Sequence, residues 1–192
     1  MPGLVGRDPK EAFSQFRDHL AALLNKTVTD ARLSLVHLYG RDRAQISFRE
    51  NNEAIVAPLR NVNDLFLYIG QTLRVSQQPD KTWKLRTTEY RYRIQGTQDI
   101  KDDDCLRWEY VSREVRDNAY CRHHLHLQGD YELGDRRRVP LADVHIPTGW
   151  VTVEEIIRFM ITDLKVPSKS GDWEKLLCDS EAQFRAWTSR DI

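Results

Sequence analysis

Apolar and polar positions along the chain follow two periods, one helical and one of strict alternation. Asp8-Pro9-Lys10-Glu11 puts a capping residue, a proline at the first helical position and a glutamate three after the cap. Phe13, Phe16, Leu20, Leu23 and Leu24 then recur at helical spacing and predict an amphipathic helix to about Asn25. "ARLSLVHLYG", "AQISFRE" and "AIVAPL" read as strands, the first two joined through Gly40-Arg41-Asp42-Arg43. Asn61 reads as the cap of a second helix carrying Leu65, Phe66, Ile69 and Leu73, and the polar "VSQQPDKTW" as a loop.

A second strand series follows, "TEYRYRIQ", "CLRWEYV" and "HHLHLQ", with the acidic turn "GTQDIKDDD" between the first two. "GDYELGDRRRVPLAD" reads as a loop whose Arg136-Arg137-Arg138 triplet is the densest basic spot. Thr152 and Glu155 form a second capping box, with Ile156, Ile157, Phe159, Met160 and Leu164 behind it, and a last helix runs roughly from Asp172 to Trp187. The pattern predicts an α+β fold, an antiparallel sheet flanked by helices. It divides at residue 80 into an N-terminal α-β-β-β-α segment (1–80) and an α+β region with C-terminal helices (81–192), or forms one continuous domain.

Composition narrows the function classes. The chain has 192 residues, and its 29 basic and 29 acidic side chains cancel, so any nucleic-acid or partner binding must come from a local patch. Cys105, Cys121 and Cys178 are odd in number and far apart, which is no disulfide framework and points to a reducing, cytoplasmic setting. No apolar run approaches the roughly 20 residues that span a bilayer, so no membrane association is expected.

Sorting the second strand series by face gathers the candidate chemistry. Tyr90, Tyr92 and Ile94 point one way and Glu89, Arg91 and Arg93 the other. Leu106, Trp108 and Tyr110 oppose Arg107 and Glu109, while His124 and His126 oppose Leu125 and His123. If the three strands are neighbours, Arg91, Arg93, Arg107, Glu109, His124 and His126 share one surface. Arginines on such a face hold a phosphate. A histidine near neutral pKa takes a 2′-hydroxyl proton and a second protonates the leaving oxygen, with Glu109 assisting. That chemistry cleaves RNA and needs no metal or other cofactor. The ordinary reading of arginine and glutamate on a solvated sheet face is modest cross-strand pairing.

Two other function classes stay open. A His-x-His strand also suits a small metal-dependent hydrolase, with Cys121, Glu109 or His145 as third ligand, and spacing selects none of them. A non-enzymatic binding or assembly module would use the same polar face to meet a partner chain.

Taken in order, "YRYRIQ", "LRWEYV", "CRHHLHLQG" and "VHIPTGWVTVEEIIRFMITDL" resemble the TumE-like toxins of bacterial and archaeal toxin–antitoxin pairs. The resemblance falls on Arg91 and Tyr92, on Arg107 and Glu109, on His123, His124 and His126, and on the helix opened by Thr152. It covers roughly Thr87 to Leu164. Asp117-Asn118-Ala119 matches the turn that follows the arginine strand in that family, without its proline. The resemblance implies a toxin with an antitoxin protein as partner. It says nothing of the first 85 residues.

Overall fold

The computed structural model describes residues 6–38, 40–101, 105–113, 115–116, 121–132, 134 and 137–187. The Asp117-Asn118-Ala119 turn, the acidic residues 102–104 and Arg136 lie outside them. The chain forms an α+β fold built on a mostly antiparallel nine-stranded sheet.

Helix α1 (Pro9–Lys26) begins where the cap predicts, with the Asp8 carboxylate accepting from the Glu11 amide at 2.9 Å. It buries Phe13, Phe16, Leu20 and Leu24. Strands β1 (Leu33–His37) and β2 (Arg43–Glu50) follow as a hairpin. "AIVAPL" is not one strand but two short pieces, β3 (Glu53–Ala54) and β4 (Ala57–Pro58), which pair with different neighbours.

The segment read as a second helix is strand β5 (Phe66–Gln77), paired with β6 (Trp83–Gln95) along its length. Phe66, Ile69 and Leu73 do fall at helical spacing. However, Leu67, Ile69, Leu73 and Val75 fall on one face of an uninterrupted alternation and are buried together, while the register shift at Thr72/Leu73 takes up an extra residue, Thr88, on β6. Local periodicity was ambiguous, and pairing with β2 and β6 decided it. The expected loop shrinks to a turn closed by the Gln78 amide on the Thr82 carbonyl at 2.7 Å.

Strands β7 (Cys105–Val111) and β8 (His123–His126) continue the sheet. The supposed loop after them contains a hairpin of β9 (Asp130–Glu132) and β10 (Arg138–Pro140). The two-residue β11 (Ile146–Pro147) then returns to pair with β8. Helices α2 (Val153–Thr162) and α3 (Trp173–Trp187) close the chain, and both halves of the Thr152–Glu155 capping box are formed.

The main sheet runs β1-β2-β5-β6-β7-β8-β11, so strands from both sides of residue 80 belong to it. Helix α1 packs on one face of the sheet, α3 packs on α1 and α2, and the apolar sides of all three helices join a single core that includes Ile46, Leu67, Ile69 and Tyr92. The opposite face carries mostly polar side chains, with Val36, Phe66 and Val111 among them.

Candidate active site

Strand register assembles this polar face. Across β6, β7 and β8, Arg91 stands opposite Glu109 and Glu109 opposite His124; Arg93 stands opposite Arg107 and Arg107 opposite His126. Directly opposed side chains on one face approach within about 5 Å, so two adjacent rows bring all six positions together. Their alternates Tyr90, Tyr92 and Tyr110 are buried in the core, which fixes the outward direction of the rows.

Glu109 is the hub. Its Oε1 accepts from Arg91 Nε and lies 3.6 Å from Arg107 Nε, while its Oε2 lies 3.3 Å from His124 Nε2 and 3.7 Å from His126 Nε2. Each imidazole is held from behind by a backbone carbonyl. His124 Nδ1 is 2.9 Å from the Cys121 oxygen, and His126 Nδ1 is 3.3 Å from the Ala142 oxygen. A carbonyl only accepts, so Nδ1 is the donor in both contacts and each ring turns Nε2 toward Glu109. Both histidines are buried, at 7% exposure each, whereas Arg91 reaches solvent.

Burial alone would raise the Glu109 carboxyl, but the Arg91 and Arg107 guanidiniums, helped by the hydrogen bond from Arg91, hold it below the usual carboxylate range. His126 is lowered, first by burial and then by the Arg107 charge, against weaker opposing pulls from the Ala142 carbonyl and Glu109.

His145 completes the cluster. Because Ile146 pairs with Leu125, His145 enters β11 beside the two buried histidines. Its ring centroid lies 4.7 Å from that of His124 and 4.7 Å from that of His126, and those two are 4.9 Å apart. One ring nitrogen from each of the three falls within 4.8 Å of the others, a spacing at which they could share a cation.

Other sequence candidates are placed elsewhere. Arg93 shares the face but turns away: its guanidinium stacks over the Tyr68 ring at 4.7 Å and donates to the Ile100 carbonyl at 2.8 Å. It braces the turn at residues 97–101, together with Gln95, which donates to the Thr97 and Asp99 carbonyls. His123 packs on the core side, stacked on Tyr110 at 4.4 Å and edge-on to Trp150. The Cys121 thiol lies 3.3 Å from the His123 carbonyl and its own carbonyl anchors His124. His19 and His37 are remote: His19 bonds Ser180, and His37 meets the Phe13 ring edge-on.

Sequence alone left Cys121, Glu109 and His145 as equal third members. His145 could not be selected, because β11 is too short to show alternation. Beyond Glu109 the face continues as a groove along Arg91, Gly70, Tyr68, Thr72 and Gln45. No family model, curated protein or solved structure matches the chain.

Proposed function

We propose that this chain cleaves RNA at the face formed by Arg91, Arg107, Glu109, His124 and His126, as a toxin-like endoribonuclease of the toxin–antitoxin kind. The observation that carries this reading is the shared register of β6, β7 and β8, which sets two arginines, one carboxylate and two imidazoles side by side.

Each part has a task in transesterification. The guanidiniums of Arg91 and Arg107 neutralise the charge that builds on the phosphate. The 2′-hydroxyl loses its proton to the imidazole–carboxylate cluster and its oxygen bonds to phosphorus. The bond from phosphorus to the 5′-oxygen then breaks, and the leaving oxygen takes a proton from the same cluster. Glu109 links the phosphate-binding and proton-transferring halves, since its two oxygens serve one each. The resemblance to TumE-like toxins supplies the biological setting and an antitoxin protein as the expected partner.

The test uses a labelled oligoribonucleotide and its all-deoxy counterpart. The protein should cut the first and leave the second, which lacks the 2′-hydroxyl. Glu109→Gln, close in shape to the wild type, should slow cutting by about 10²–10⁴-fold. An intact oligoribonucleotide, or equal rates for wild type and Glu109→Gln, would overturn the reading in favour of a partner-binding face.

A further inference from the structure

We infer that His124, His126 and His145 bind a divalent first-row transition-metal ion of the zinc class, with Glu109 Oε2 as the fourth ligand. The claim goes beyond RNA cleavage, and the binding it describes stands without that reading.

A neutral imidazole has a single N–H, and in His124 and His126 it is directed to the Cys121 and Ala142 carbonyls. In the neutral rings the Nε2 atoms then carry lone pairs, and both converge on one carboxylate oxygen that is itself only an acceptor. A proton on Nε2 satisfies one of these contacts, as in the 3.3 Å His124–Glu109 hydrogen bond, whereas a single cation satisfies them together. A metal-bound histidine characteristically has this arrangement, one nitrogen on the ion and the other donating to a backbone carbonyl that fixes the tautomer.

Distances agree with this. Around a tetrahedral ion with bonds of about 2.0–2.1 Å, neighbouring ligand atoms stand about 3.3 Å apart. His124 Nε2 to Glu109 Oε2 is 3.3 Å, and His126 Nε2 to the same oxygen is 3.7 Å. Three corners are thus nearly in place. The ring nitrogens themselves spread to within 4.8 Å, wider than a loaded site, and the movable corner is His145, which is exposed and sits at the entry to the two-residue β11.

Ligand chemistry selects the ion. Three imidazole nitrogens and a carboxylate suit zinc, cobalt or nickel and do not suit magnesium or calcium, which take oxygen ligands. With the ion bound, two guanidiniums and a dication face one carboxylate, so the surface turns positive and suits a phosphate. Ion binding and proton transfer would be alternative uses of His124 and His126: with the ion bound the two imidazoles would be ligands, and the ion would supply positive charge beside the phosphate.

The experiment is a titration of chelator-treated, desalted protein with Co(II) and Zn(II), read by calorimetry and, for cobalt, by visible absorption. Wild type should take up one ion with the strong visible bands of a four-coordinate cobalt site, and zinc should raise its melting temperature. His145→Ala removes an exposed side chain and should keep the fold, yet weaken uptake by at least about 100-fold, the upper end of what losing a mere outer partner costs. His37→Ala, a remote exposed histidine, should bind as wild type does. Absence of uptake, or equal uptake by His145→Ala and wild type, overturns the site. No RNA is present, so cobalt binding by a protein that leaves RNA intact supports the metal site while the cleavage reading fails. Cleavage by a protein that binds no ion has the reverse meaning.

Discussion

At the scale of single residues Glu109 holds the polar face together. Its carboxyl is depressed because Arg91 and Arg107 favour the charged form by more than burial opposes it. A depressed carboxyl contributes stability that is present above its unfolded value near 4.5 and lost as pH falls through the lower folded value. A titration of the Glu109 side-chain carbon signal should therefore show a midpoint below 4.5 in wild type. Arg91→Ala removes the largest attractive charge and a hydrogen bond, so the midpoint should move upward. An unmoved midpoint would mean that the Arg91–Glu109 pair is not maintained in solution. Arg93 illustrates how a strand face misleads: alternation put it with Arg91, but only three-dimensional neighbours reveal that Tyr68 and the Ile100 carbonyl already engage it.

Elements are joined away from this face by a buried chain of polar groups. Ser180 of α3 donates to the Glu154 carboxylate of α2 and contacts His19 Nε2 of α1 at 2.7 Å. Burial pushes Glu154 up and His19 down. A raised carboxyl contributes stability that is complete below its unfolded value near 4.5 and lost as pH rises through the folded value. Glu154→Gln cannot ionise, so its stability relative to wild type should be greatest at alkaline pH and should shrink as pH falls towards 5. Urea unfolding of the two proteins across that range checks this, and a gap independent of pH would contradict it. At this scale the sequence was legible where an element carries its own boundary chemistry, as Asp8-Pro9 and the Thr152–Glu155 box do. It failed where tertiary pairing decides, as in β5, or where an element is too short for a period, as in β9, β10 and β11.

For the molecule as a whole, the main sheet makes residues 1–80 and 81–192 interdependent. β5 and β6 pair across that boundary along their length, and α1 shares its core with Tyr92 and Ile156. Unfolding followed by tryptophan fluorescence and by far-ultraviolet circular dichroism should give coincident single transitions. Two separated transitions would show that the halves fold apart. Among the described residues no helix is long and apolar enough to cross a membrane. Apart from Arg93, the arginine–carboxylate–histidine surface was readable from alternation once the three strands were taken as neighbours, and they are consecutive and pair in chain order. Its third histidine was not, because only the return of β11 onto β8 brings it there.

The most direct measurement sizes total cellular RNA after incubation with the wild-type protein, beside a His124→Ala/His126→Ala variant. Discrete fragments from the wild type and intact RNA with the double variant are expected. Intact RNA with the wild type, or an unchanged fragment pattern with the double variant, would contradict the cleavage reading.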